Sequence, residues 1–79
     1  MKFYITQQVA YNPKFEGVQF ASTDTPDEDA MSYSGEALVG EIEAEPAPED
    51  SPIGKTVSWE LPKIGECFYA AGGVFCRTA

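Results

Sequence analysis

The sequence predicts an α+β fold: a small antiparallel sheet of four to six short strands, one short helix, and a C-terminal hairpin at 66–78. Three observations carry this expectation. Several short segments alternate apolar and polar side chains, the period of a half-buried strand. Only one segment, Thr25-Pro26-Asp27-Glu28, has the chemistry of a helix start. The last segment, ECFYAAGGVFCRT, folds onto itself with matched side-chain pairs.

In chain order, residues 2–11 alternate, with Phe3, Ile5, Val9 and Tyr11 on one face and Gln7 as the exception. Asn12-Pro13-Lys14 is turn chemistry, because Pro fixes φ and Asn favours turn initiation. Residues 17–22 form a second strand with Val18 and Phe20 inward, giving a hairpin with a longish loop. Thr25 as N-cap, Pro26 at the first helical position and Glu28 at the third predict a helix over 26–33 that buries Ala30, Met31 and Tyr33. Ser34-Gly35 is its exit. An acidic loop with one helical turn is the alternative.

Residues 36–45 alternate again. Leu38, Gly40, Ile42 and Ala44 share one face, while Glu41, Glu43 and Glu45 point the other way. Residues 46–54 hold three prolines and two acids, which makes an acidic loop. Residues 55–61 read as a strand with Val57, Trp59 and Leu61 inward, and 62–65 as a turn.

The C-terminal segment fixes its own register. A turn at Ala71-Gly72 pairs Tyr69 with Val74, Phe68 with Phe75, Cys67 with Cys76 and Glu66 with Arg77. One register thus yields an apolar, an aromatic, a thiol and an opposite-charge pair, and such pairs are the unit of sheet stabilisation. The thiols fall at a non-hydrogen-bonded position, close enough for a disulfide. In a cytoplasmic protein the expectation is two buried, reduced cysteines.

The chain has 79 residues, enough for a single domain over 1–79 with a thin core. Its formal charge is −8, and the charge is segregated. No Lys or Arg lies between Phe15 and Gly54, a stretch that carries Glu16, Asp24, Asp27, Glu28, Asp29, Glu36, Glu41, Glu43, Glu45, Glu49 and Asp50. Charge added for solubility alone is usually interleaved with the opposite sign. A one-signed field steers oppositely charged partners. The candidate partner-binding residues are therefore Asp27, Glu28, Asp29, Glu36, Glu41, Glu43, Glu45, Glu49 and Asp50.

The sequence argues against other chemistries. It contains no His, the commonest general base. Glu41 and Glu43 are spaced about 6.6 Å along a strand, within the range of an inverting glycosidase pair. A chain this small, however, has little room for a cleft, and no enzyme, cofactor or metal is expected. The acids at 24–29 lack the Gly and the alternation of a calcium loop. Ala71-Gly72-Gly73 has no following Lys-Ser/Thr and is a turn rather than a phosphate loop. Direct nucleic-acid binding is disfavoured by the sign of the charge. The N-terminus has no apolar run of a secretory signal, and no stretch is long enough to span a membrane. A cytoplasmic monomer is the expectation.

Rows of carboxylates on a rigid strand can stand in for rows of phosphates, because Lys and Arg grip both. With its size and its acid-only stretch from Glu16 to Asp50, the chain resembles the small acidic phage-encoded anti-CRISPR proteins. The resemblance is one of size, charge and composition, and it transfers no residue role by motif. It implies an inhibitor in the host bacterial cytoplasm that occupies the basic guide- or target-binding surface of a CRISPR surveillance complex, as a nucleic-acid mimic. The alternative is a phage structural or assembly protein that self-associates through strand edges.

Overall fold

The structure, a computed structural model, describes residues 1–48 and 61–79. Among these residues five strands form one antiparallel sheet: β1 (Lys2–Gln8), β2 (Gln19–Ser22), β3 (Glu36–Pro46), β4 (Cys67–Ala70) and β5 (Gly73–Arg77). Their order is β2-β1-β3-β5-β4, and helix α1 (Glu28–Ser34) joins β2 to β3. This is the α+β class the sequence predicts. The expected strand at 55–61 and most of the proline-rich loop lie outside the described residues; of that strand, Leu61 is described and is not in a strand.

The sheet curls so that its edge strands β2 and β4 approach each other, and the core lies inside the curl. Alternation delivers Phe3 and Ile5 from β1, Ile42 and Ala44 from β3, and Phe68 and Phe75 from the β4–β5 hairpin. Ala21, Leu61 and Ala70 pack against this cluster. Phe3 is its centre, meeting Phe68 edge-on at 5.4 Å and Phe75 at 4.9 Å between ring centroids.

The hairpin register is the expected one, with Cys67 opposite Cys76, Phe68 opposite Phe75 and Tyr69 opposite Val74. Ala71 and Gly72 both adopt positive φ, 50° and 78°. That is the geometry of a type I′ turn, which matches the twist of the strands it joins. Two expectations need correction. The cysteines form a disulfide rather than two reduced thiols. Glu66 and Arg77 pair through their backbones but not through their charges. Arg77 donates from Nη1 to Pro62 O at 2.7 Å, and Glu66 Oε1 accepts from the Lys63 amide at 2.6 Å.

Four other expectations shift. β1 stops at Gln8, because the Val9 and Ala10 amides donate to Gly35 O rather than extend the ladder. Val9 and Tyr11 are therefore exposed. In β2 the register sets Ala21 against Ile5 on the core side, which turns Phe20 outward beside Thr6. In β3 a bulge skips Val39, since Ile5 pairs with Gly40 and Thr6 with Leu38. One extra residue moves the strand's preceding side chains to the opposite face, so Leu38 leaves the core face shared by Ile42 and Ala44. The helix begins at Glu28, capped by Asp27 rather than Thr25, and it buries no residue. Asp27 Oδ1 accepts from the Asp29 and Ala30 amides at 2.9 and 3.3 Å. Tyr33, expected to be buried, is 89% exposed.

Gly35 ends α1 in the left-handed conformation, as expected, with φ 74°. A Cβ there would overlap Ala10 O and lie 2.8 Å from Ala10 C. Both atoms belong to backbone that is itself bonded to Gly35 O, so neither can move aside easily. Gly35→Ala is therefore expected to lose about 2 kcal/mol of stability, measured by urea denaturation. A variant with the wild-type midpoint would contradict this close approach.

Candidate functional site

Cross-strand partners share a face, so the pairing registers define what the outer, convex side of the sheet carries. Tyr4 lies opposite Glu41 and Lys2 opposite Glu43. Glu45 lies opposite Cys76 of β5. Glu41, Glu43 and Glu45 thus form one column along β3, and all three are exposed. Adjacent members stand about 6.6 Å apart along the strand. Ile42 and Ala44 hold the strand from beneath, with Ala44 completely buried. The column is anchored by the core itself.

Two positive groups lean on it. Lys2 Nζ lies 3.4 Å from Glu41 Oε2, and the Met1 amino group lies 3.4 Å from Glu43 Oε2. All four groups are about half exposed, and ion pairs of this kind are worth little in water. They can be exchanged for a partner's Lys or Arg at small cost. Glu45 makes no ion pair among the described residues.

The other candidate acids divide by role. Glu36 continues the outer face beyond the bulge, opposite Gln8. Its carboxylate accepts from Ser34 Oγ at 2.7 Å and Thr6 Oγ1 at 3.5 Å, which ties the strand to the end of α1. Asp27 caps α1, while Glu28 and Asp29 fill its first turn, where the helix dipole favours negative charge. Thr25 Oγ1 donates to Tyr4 Oη at 3.5 Å. Because Tyr4 lies opposite Glu41, this contact hitches the start of the acidic helical segment to the face that carries the column. The structure therefore links the acids of the 27–29 segment to the column. Glu49 and Asp50 lie outside the described residues.

Sequence reasoning missed the residues that link them. Tyr4 gave no signal, because a tyrosine on the polar face of a strand is unremarkable singly, and Thr25 was read as a helix cap rather than as a partner of Tyr4. Gln8, which looked like an ordinary outward polar residue, is buried. Its amide donates to Ala10 O at 2.7 Å and Ser34 O at 2.6 Å, holding the helix end against β1. Among the described residues no cavity is present, and no group of three or more Cys, Asp or Glu side chains is placed to hold a metal ion. No helix among the described residues is long and apolar enough to cross a membrane. No protein family, curated protein or solved structure matches the chain.

Proposed function

We propose that this protein is a stoichiometric inhibitor that binds a basic, nucleic-acid-binding surface of a bacterial complex and blocks it, in the manner of the anti-CRISPR proteins that its size and charge resemble. The observation that supports this reading is the column Glu41, Glu43 and Glu45, exposed on a strand whose other face is core. Carboxylates carried on a strand fixed by the core meet Lys and Arg without any ordering of the backbone, so the entropy lost on binding is confined to side chains. The convex face suits a partner that supplies the concavity. On this reading the protein carries no chemistry of its own and acts by occupancy.

The setting proposed is the host bacterial cytoplasm. There the Cys67–Cys76 bridge would be reduced, since glutathione and thioredoxin keep cytosolic thiols open. The hairpin would then rely on its turn and its phenylalanines.

The test is capture from a bacterial lysate at low and high salt, with wild type and the Glu41→Lys/Glu43→Lys/Glu45→Lys variant as baits. These positions are solvent-exposed, so circular dichroism should be unchanged. The wild type is expected to retain a nucleic-acid-binding complex at low salt, release it as salt rises, and compete with that complex's nucleic acid one for one. The variant is expected to retain at least tenfold less. Equal capture by both baits at low salt would show that this face is not the binding surface.

A further inference from the structure

The outer face is not uniformly acidic. Phe20 and Leu38 both lie opposite Thr6, one from β2 and one from β3, so the three make a row across the sheet. Phe20 and Leu38 are each 44% exposed, and the bulged Val39 beside them is 43% exposed. The next rows along β3 are Glu41, Glu43 and Glu45. Beyond Glu45 lies the disulfide and then the pair of Tyr69 and Val74, with Tyr69 52% exposed. Along the strand the face therefore reads apolar, acidic, apolar.

Two devices place those apolar groups outward. The bulge at Val39 turns Leu38 out of the core, and the β2 register turns Phe20 out while a small alanine faces in. Burial of either large side chain against the core would have been the stabilising choice for a thin domain. Exposed apolar patches rimmed by polar groups mark interaction surfaces, with charge setting orientation and on-rate.

We propose that this face docks a basic protein surface that carries apolar side chains on both sides of its Lys/Arg row. Phe20, Leu38 and Val39 anchor one end, Tyr69 and Val74 the other, and Glu41, Glu43 and Glu45 match the charge between. The proposal rests on the inhibitor reading and adds what the partner must look like: a basic surface that only grips phosphates has no counterpart for the two apolar ends. Charge complementarity selects a basic partner over a second copy of this chain, because two such faces would set their carboxylate columns against each other.

Two labelled peptides of equal length and charge test it. One is a lysine run flanked by serines, the other the same run flanked by leucines, and affinity is read by fluorescence anisotropy at low and moderate salt. The leucine-flanked peptide is expected to bind wild type about tenfold more tightly and to hold on better as salt rises. Phe20→Ser/Leu38→Ser should remove most of that advantage and Tyr69→Ser part of it, both leaving the serine-flanked peptide unaffected. Circular dichroism confirms that each variant is folded. The Glu41→Lys/Glu43→Lys/Glu45→Lys variant should lose both peptides.

If the leucines confer no advantage, or the advantage survives both apolar variants, the proposal is wrong while the acidic reading stands. If neither peptide binds wild type at low salt, both fall. A wild-type homodimer that dissociates in Phe20→Ser/Leu38→Ser, seen by light scattering, would assign the face to a second copy and overturn the proposal.

Discussion

Phe3→Ala is expected to lose about 3–5 kcal/mol, the usual cost of removing a fully buried phenylalanine. Phe3 has no solvent exposure and, among the described residues, is the one ring that meets both hairpin phenylalanines. Phe68 and Phe75 are farther from each other, at 6.5 Å and tilted. Removing Phe3 therefore leaves a void between β1 and the hairpin that neither ring can fill without moving its strand. A domain of 79 residues has a total stability of about 4–12 kcal/mol, so this single change takes a large share of it. Thermal and urea denaturation read the loss. Phe3→Leu keeps most of the burial and should lose about half as much. A loss under 1 kcal/mol in Phe3→Ala would mean that the sheet does not curl around this residue.

Cys67→Ala/Cys76→Ala is expected to lose somewhat under about 3 kcal/mol, the contribution of a bridge that closes so short a loop. The loss falls on the hairpin that supplies Phe68 and Phe75, a third of the buried core cluster. It should appear equally when wild type is treated with dithiothreitol, and the reductant should leave the double variant unchanged. The hairpin register should survive in both, since the type I′ turn and the Phe68–Phe75 pair do not depend on sulfur. Identical stability of wild type with and without reductant would contradict the bridge, as would two titratable thiols in the native protein.

How far the sequence reaches depends on whether a rule has a competitor. The hairpin register was legible because four pair chemistries agreed on one turn. Only its charge pair failed, because Arg77 and Glu66 each found a nearer backbone partner. The column Glu41, Glu43 and Glu45 was legible because the bulge lies before it and leaves its alternation intact. Leu38 was misplaced because nothing in the sequence announces the bulge at Val39. Phe20 was misplaced because its face is set by pairing with β1, where Ala21 opposes Ile5. Thr25 was read as the cap because Pro26 and Glu28 complete a capping box around it, but Asp27, two residues later, makes the bonds. Val9 and Tyr11 continue the alternation of β1, but the Val9 and Ala10 amides are diverted to Gly35, far along the chain. At the site, the charged residues could be read from the sequence. Their apolar neighbours and the Thr25–Tyr4 link required the pairing registers.

On the proposed function, the carboxylate column on the convex face is where a basic partner binds. The most direct measurement is a heteronuclear NMR titration of the folded protein with a short lysine peptide at low salt. The amides of Tyr4 and of residues 41–45 are expected to shift first and together, and to return as salt is added. Shifts concentrated instead on α1, or spread evenly over every acidic residue, would contradict it.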